Sequence, residues 1–204
     1  SLMDISAKNI VLSGQTIGGV DTALYVLAGA KNTILVASEN LTANALVTNA
    51  GNLTLRSPNV SLVSVANSGT MSIGTSTNAS GTVEVTGDVT NAAGTLNINS
   101  KNISIAGLLS GVGGTVNITG SDYNGSPMSF GGVQVSGADV TIAASAKNVD
   151  VLNSIQVTGG ALNFANSVTN VSVGSFVDVD GDIVMGGTDN TSANLNIKST
   201  AFTL

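Results

Sequence analysis

The chain has 204 residues, of which 9% are charged and 3% aromatic, and it contains no His, Cys or Trp. Its six Lys and Arg residues leave no basic patch for nucleic acid, and without His or Cys the usual acid–base, thiol and transition-metal chemistry has no residues to work with. A hydrophobic fraction of 42% with a net charge of −6 argues against disorder, and no apolar run approaches the roughly 20 residues that span a membrane.

Two segments of the chain repeat the same pattern. Residues 51–65 read GNLTLRSPNVSLVSV, and residues 94–109 read GTLNINSKNISIAGLL. Each segment has a Gly, an apolar-x-apolar triplet, and a second such triplet that starts seven residues after the first. Extended along the chain, the pattern predicts about nine coils of roughly 20–22 residues, each with three short strands. The sequence therefore predicts a single all-β domain over 1–204, a right-handed parallel β-helix.

The predicted strands form three series, which follow one another in each coil. First strands begin at Met3, Ile34, Leu53, Met71, Leu96, Val116, Val140, Leu162 and Ile183. Second strands begin at Ile10, Leu41, Val60, Val83, Ile103, Met128, Val149, Val171 and Leu195. Third strands are placed at Ile17, Leu46, Val65, Val89, Leu108, Val133, Ile155, Val177 and Phe202. Because side chains alternate along a strand, each triplet points two apolar side chains inward, and stacked coils join them into one apolar column.

Asn and Gly recur at the predicted corners. An Asn directly precedes the second strand at Asn9, Asn40, Asn59, Asn102, Asn148, Asn170 and Asn194. Asn tolerates the left-handed backbone region and can hydrogen-bond to the same amide one coil away, so we expect a structural ladder of corner amides. A Gly stands two residues before the first strand at Gly51, Gly69, Gly94, Gly114, Gly160 and Gly181, for a similar steric reason.

Two long corners also lack the Asn before the second strand, which is replaced by Thr82 and Pro127. In both coils the second strand starts 12 residues after the first instead of seven, which predicts loops at 75–81 and 121–126. Loops escape the repeat constraint and carry most binding residues, so these two are the best candidates for ligand contact. The candidate contact residues are Thr75, Asn78, Asp122, Tyr123 and Asn124.

The beginning and the end of the chain depart from the pattern. Residues 18–33 form an irregular segment with an apolar run, which predicts either an extra strand or a short helix that covers the first coil. The chain stops on a predicted third strand without a polar cap, so we expect the sequence to be a fragment of a longer rod.

One acidic cluster, Asp178, Asp180 and Asp182, interrupts an otherwise neutral surface. Alternating Asp with Gly resembles part of a calcium loop, but the distal Glu of such a loop is missing. A solvated corner, in which Gly181 has its usual place in the repeat, explains the same residues without a metal. No other cofactor is predicted.

The remaining polar residues show no catalytic grouping. The acids are dispersed, and Arg56 is the only Arg, which argues against an enzyme. Three aromatic residues, Tyr25, Tyr123 and Phe130, suggest a sugar-binding rim, and packing at the bases of the loops is the alternative interpretation.

Two phrases recur in the coils: G-[NT]-L-x-[IL], at Gly51 and Gly94, and K-N-[IV]-x-[IVL], at Lys101 and Lys147. They resemble the haemagglutinin-type repeats of filamentous haemagglutinin-like exoproteins, the two-partner-secreted adhesins of Gram-negative bacteria. The resemblance implies a right-handed β-helical shaft, export to the cell surface, and a role in adhesion or biofilm cohesion. The secretion domain of that family has an Asn-Pro signature, which this sequence lacks, so the resemblance implies shaft rather than export-recognition domain.

Together these observations predict a non-catalytic extracellular module, a rigid shaft of a bacterial surface adhesin or biofilm matrix protein. Its predicted partner is a glycan, a host or neighbouring cell surface, or another copy of itself, with no nucleic acid and no membrane insertion. A surface-layer or fibre protein that assembles end to end is the first alternative, because uncapped end strands can pair. A polysaccharide-active β-helix enzyme is the second, and it requires acids and bases gathered on one coil.

Overall fold

The computed structural model describes residues 2–77 and 79–185 and the backbone of strand Asn194–Ile197. These residues form strands, turns and bends, and the strands pair into one continuous sheet. All but one of the strand pairings are parallel, and they join each strand to its equivalent in the next turn. The fold is therefore an all-β parallel solenoid, as predicted. No helix that could cross a membrane occurs in the part of the chain described here.

The strands vary in length because several continue without a break around a corner of the solenoid. In chain order they are β1 (Met3–Leu12), β2 (Gln15–Ile17), β3 (Val20–Val26), β4 (Thr33–Asn49), β5 (Asn52–Arg56), β6 (Asn59–Asn67), β7 (Thr70–Gly74), β8 (Thr82–Val85), β9 (Val89–Asn91), β10 (Thr95–Asn99), β11 (Asn102–Gly111), β12 (Thr115–Gly120), β13 (Met128–Ala144), β14 (Asn148–Val151), β15 (Ile155–Phe164), β16 (Asn170–Val173), β17 (Val177–Val179), β18 (Asp182–Val184) and β19 (Asn194–Ile197).

The solenoid has three faces, A, B and C, which contain the first, second and third strand of each coil. About seven turns are complete, slightly fewer than the nine predicted. The complete turns begin on face A at Thr33, Leu53, Met71, Leu96, Val116, Val140 and Leu162. The coil before them is interrupted by a hairpin, and the coil after them is described on faces A and B only.

Face B follows the prediction in every coil. The residues that line up along it are Ile10, Leu41, Val60, Val83, Ile103, Met128, Val149, Val171 and Leu195. The first eight of these side chains are buried. They form one continuous apolar column together with the inward residues of faces A and C.

On face A, the inward residue predicted for the second coil is wrong by one position. Thr33, which is only 6% exposed, lines up with Leu53, whereas Ile34 points outward. The segment has four apolar residues in succession after Thr33, so the sequence alternation alone does not fix its register. Pairing of β4 with β5 decides it, because the alternative would turn Leu35 and Ala37 out of the core.

On face C, two predicted inward residues are also displaced by one position. Val47 and Leu109 are fully buried and occupy the column, while the predicted Leu46 and Leu108 are partly exposed. Both errors follow an irregular corner, where the strand register shifts between faces B and C. Both residues of a Leu-Val or Leu-Leu pair are apolar, so either register would place an apolar side chain inside. The corner geometry therefore determines which of the two residues is buried.

The irregular segment near the beginning, residues 18–33, contains the strand β3 and no helix. β2 and β3 make an antiparallel hairpin, and β3 then pairs in parallel with the end of β4, where Leu24 lines up with Val47. The third strand of the first coil is therefore β3. The prediction that Ile17 fills this position is wrong, because Ile17 lies in the hairpin and is 53% exposed. The predicted third strand at Phe202 lies outside the described residues.

The predicted glycines stack closely from coil to coil. At Gly94 the backbone has φ of 69°, and a Cβ atom there would lie 2.1 Å from the carbonyl oxygen of Gly69. A Cβ atom at Gly114 would likewise lie 2.0 Å from the carbonyl oxygen of Gly94. Both the left-handed backbone and the close approach exclude a side chain, so Gly is required at this corner.

Face A is open at β1. Met3 and Ile5 line up with the inward residues Thr33 and Leu35, yet they are 42% and 43% exposed. In the described residues β1 has a parallel partner on one side only, namely β4. This edge therefore presents inward-type apolar residues to solvent.

Candidate functional site

The two long loops lie at the same corner of the solenoid, between faces A and B. One short corner separates them: the backbone N–H of Lys101 donates to the Ser80 carbonyl (3.0 Å), and the N–H of Ser121 donates to the Lys101 carbonyl (2.8 Å). The parallel register thus brings loops 75–81 and 121–126 together, although residues 82–120, about two coils, lie between them in sequence. We call these two loops and the short corner between them the loop corner.

Loop 75–81 is closed by Thr75. The backbone N–H of Thr75 donates to the Asn99 carbonyl (2.7 Å). The Thr75 hydroxyl donates to the carbonyl of Thr77 and, at 3.5 Å, to that of Ser80. The hydroxyl is thus engaged within the loop, and Thr75 shapes the corner more than it offers a free donor. Asn78, the other candidate of this loop, lies outside the described residues.

Loop 121–126 is held mainly by its main chain. Asp122 forms a bridge with Asn102, and its carbonyl accepts a hydrogen bond from the N–H of Ile103 (2.9 Å). Asn124 has φ of 51°, and its N–H donates to Oδ1 of Asn102 (2.9 Å). The Oδ1 atom of Asp122 is buried without a hydrogen-bond partner. The side chain of Asn102, from the coil below, therefore fixes the turn.

Tyr123 connects this loop to face B through a second contact. Its phenol lies near the carboxylate of Glu84. Burial, together with the negative charge and hydrogen bond of Glu84, raises the pKa of Tyr123 above 10.0. The phenol is therefore protonated at neutral pH, and it lies beside a charged side chain of the sheet. The sequence alone does not predict that Glu84 and Tyr123 lie side by side.

Two shallow grooves beside loop 75–81 are both lined by Arg56. One, of about 310 Å³, follows the corner past Ser38, Ser57 and Ser80, and the other, of about 190 Å³, lies on face A beside Gly74. Sequence analysis singles out Arg56 only as the one Arg in the chain. Its position at the end of β5, next to a corner loop, is the signal that could have identified it.

The three acidic residues near the end of face C are not gathered into one cluster. The side chains of Asp178, Asp180 and Asp182 are exposed, and Asp178 and Asp182 belong to strands on different faces. Within the described residues no three His, Cys, Asp or Glu side chains come close enough to hold a metal ion. The calcium interpretation thus gains no support from the geometry, and the solvated corner accounts for these residues.

The predicted ladder of corner amides forms in pieces. Asn40 donates to Oδ1 of Asn9 (2.8 Å), and Asn170 donates to Oδ1 of Asn148 (3.0 Å). The amides of the corners between these pairs bond instead to backbone carbonyls, as for Asn59 and Asn102. The side chain of Asn194 lies outside the described residues.

The prediction of a left-handed backbone at these corner asparagines is wrong. Apart from Gly, the described residues with positive φ are Asn124 and Lys147. The corner asparagines are instead the first residues of strands or lie within them, as at Asn59 and Asn102. Their amide groups, rather than their tolerance of a left-handed backbone, therefore account for their recurrence.

A second ladder of amides runs inside the solenoid, and the sequence analysis missed it. Asn49, Asn67 and Asn91 are at most 2% exposed and line up at the end of face C. Asn49 donates to Oδ1 of Asn67 (2.7 Å), and Asn67 donates to Oδ1 of Asn91 (2.7 Å). The recurrence of Asn two residues after Val47, Val65 and Val89 was the available signal.

The three aromatic residues do not form a common rim. Phe130 is fully buried in the core, whereas Tyr25 is 52% exposed on β3, in the first coil. Tyr123 lies at the loop corner against Glu84. Packing is thus the role of Phe130, and the other two rings are on separate parts of the surface.

Comparisons of the chain with protein-family models, with curated proteins and with solved structures found no match.

Proposed function

We propose that this chain is a non-catalytic extracellular module, a rigid shaft of a bacterial surface adhesin or biofilm matrix protein. The observation that carries the proposal is the continuous apolar column, which joins successive turns through parallel backbone pairing on three faces. Every coil supports its neighbours, and no described loop divides the column. Seven turns at a strand spacing of about 4.8 Å give a rod of roughly 34 Å.

The outward residues support the same role. On face A the column of middle residues contains Thr54, Ser72, Asn97, Asn117 and Thr141, all of them neutral. Such a surface offers hydroxyl and amide groups without strong nonspecific charge pairing. Contact with a glycan or with another cell surface belongs, in this proposal, to the loop corner, where side chains escape the repeat.

Antibody labelling of the native protein tests the proposal. On intact cells that produce it, we expect the antibody to label the surface as strongly as on permeabilised cells, and external protease should remove the signal. A cytosolic protein labelled in the same preparation controls for leakage. Labelling that requires permeabilisation would exclude a surface shaft.

The open edge of β1 favours a second candidate function, end-to-end self-assembly into a surface layer or fibre. The exposed Met3 and Ile5 have the register of inward residues, so a parallel strand of another copy would continue the column over them.

Light scattering across a concentration series distinguishes this candidate from a monomeric shaft. Self-assembly predicts a mass that grows with concentration, and Ile5→Asp should abolish the growth because it places a charge on the contact edge. Val11→Asp is the matched control, since Val11 is on the same strand and 63% exposed but faces outward. A constant monomer mass for the unmodified chain would reject end-to-end assembly.

A further inference from the structure

The tip of loop 121–126 is a two-residue turn, Asn124-Gly125. The backbone N–H of Tyr123 donates to the Ser126 carbonyl (2.8 Å), and the N–H of Ser126 donates to the Tyr123 carbonyl (2.9 Å). Both residues between them have positive φ, 51° at Asn124 and 83° at Gly125, which is the geometry of a type I′ turn. Asn-Gly is a sequence that this turn favours, and it occurs once in the chain.

The side chain of Asn124 and the next backbone nitrogen are free and open to water. Asn124 and Gly125 are both exposed. Within the described part of the chain, Asn124 makes one hydrogen bond, from its backbone N–H to Asn102, and the Gly125 N–H makes none. Nothing lies within 4 Å of the point where a Cβ atom of Gly125 would stand. No neighbour therefore prevents the Asn124 carboxamide from approaching the Gly125 nitrogen.

We propose that Asn124 is a site of spontaneous covalent modification, at which the carboxamide is converted to a carboxylate through a cyclic imide and loop 121–126 opens as a result. The Gly125 nitrogen attacks Cγ of Asn124 and forms a new N–Cγ bond. The Cγ–Nδ2 bond breaks, and the proton of the attacking nitrogen passes through water to the departing group, which leaves as ammonia. This inference is independent of the proposed shaft.

Water completes the conversion without any other reactant. It adds to one of the two carbonyl carbons of the imide, and the bond from that carbon to the Gly125 nitrogen breaks. Attack at Cγ restores the normal backbone and gives Asp. Attack at the original backbone carbonyl gives isoaspartate, in which the chain continues through the side-chain carbon. The net change is the addition of one water and the loss of one ammonia.

Two other asparagines show why Asn124 is the reactive one. Asn67 is buried, and its amide donates to the side chain of Asn91 (2.7 Å). Asn153 is exposed, but Ser154 follows it, and a side chain on the following residue hinders attack by the nitrogen of that residue. Gly has no such side chain, and its backbone rotates more freely, so its nitrogen reaches Cγ more often.

The isoaspartate product does not fit the turn. Its backbone contains one additional carbon atom, which lengthens the connection between Tyr123 and Ser126. A two-residue loop fixes the pairing of the residues on either side, so the added atom disrupts their two hydrogen bonds. Both products also add a negative charge to a loop that already contains Asp122. The loop corner therefore changes as the protein ages.

Peptide mapping by mass spectrometry, during incubation of the folded chain in mildly alkaline buffer, tests the modification. We expect conversion at Asn124 to be about tenfold faster than at Asn153 in the same sample, because Asn124 alone precedes a Gly. Digestion at acidic pH keeps further imide from forming, and an isoaspartate methyltransferase identifies the isoaspartate product. Equal rates at the two residues, or conversion confined to chain unfolded in urea, would overturn the site.

Limited proteolysis with subtilisin, before and after the incubation, tests the opening of the loop. We expect cleavage within 121–126 to increase in proportion to the converted fraction of Asn124. Asn124→Gly is the matched control, because Gly-Gly also forms a type I′ turn but has no carboxamide, so its cleavage rate should not change with age. Both samples are digested at one neutral pH, where Tyr123 stays protonated. Conversion without faster cleavage, or the same ageing in Asn124→Gly, would show that the modification does not open the loop.

Discussion

At the scale of single residues, position inside or outside the coil decides what an asparagine contributes. The buried ladder of Asn49, Asn67 and Asn91 satisfies polar groups that water cannot reach. The corner pair Asn9 and Asn40 makes the same kind of hydrogen bond in solvent. Water can replace the corner bond but not the buried one, so the two ladders differ in their contribution to stability.

This difference predicts the effect of two matched substitutions. Asn67→Ala should destabilise the solenoid by about 2–4 kcal/mol, because it leaves Oδ1 of Asn91 and the carbonyls of Gly69 and Thr95 without their buried donor. Asn40→Ala should cost at most about 1 kcal/mol, since water satisfies Asn9. Urea denaturation followed by circular dichroism measures both. Equal losses would mean that the buried ladder is not a special source of stability.

At the scale of the elements, the sequence predicts strands well and their register less well. Face B is correct in every coil, and in all but the first, Ile10-Val11-Leu12, a polar residue between the two apolar ones leaves one register only. Next to Thr33 and Val47 stand the apolar residues Ile34 and Leu46, which could equally face the core. Pairing between coils and the shape of the corner therefore decide which side chain is inside. The sequence also predicts both loops of the candidate site, but not that the stacking of coils places them at one corner.

The contact between Tyr123 and Glu84 predicts a specific titration of loop 121–126. With Tyr25→Phe, Tyr123 is the only tyrosine, and its absorbance should titrate above pH 10.0. Adding Glu84→Gln should lower the midpoint but leave it above 10.0, because burial, the larger cause, persists. Spectrophotometric titration at the phenolate band measures both values. A midpoint that does not respond to Glu84→Gln would contradict the contact.

The same shift gives the loop a defined dependence on pH. The pKa of Tyr123 is higher in the folded chain than in the unfolded chain, so the neutral phenol is favoured by folding. Its contribution to stability is fully present below the unfolded pKa and is lost as the pH rises through the folded pKa. Loop 121–126 should therefore become more sensitive to protease in alkaline solution, and in a Tyr123→Phe variant this sensitivity should not change with pH in that range.

At the scale of the whole molecule, the apolar column makes stability a property of neighbouring coils. Ile105 is fully buried on β11, with coils on both sides, whereas Ile10 is 8% exposed on β1 and has a described coil on one side. A charge at Ile105 would thus disturb two coil interfaces, and a charge at Ile10 would disturb one. The damage should depend on the position of a residue along the rod as well as on its burial.

Substitution by Asp along the rod tests this dependence. Ile105→Asp should destabilise the solenoid by several kcal/mol, because it buries an unpaired carboxylate in the apolar column, and Ile10→Asp should cost clearly less. Ser110→Asp, on the same strand but facing outward between the neutral Thr90 and Gln134, is the control and should change stability by about 0.5 kcal/mol or less. Thermal and urea unfolding followed by circular dichroism measure all three variants. If Ser110→Asp and Ile105→Asp were equally stable, the assignment of inward and outward residues would be wrong, and the column could not be what holds the shaft together.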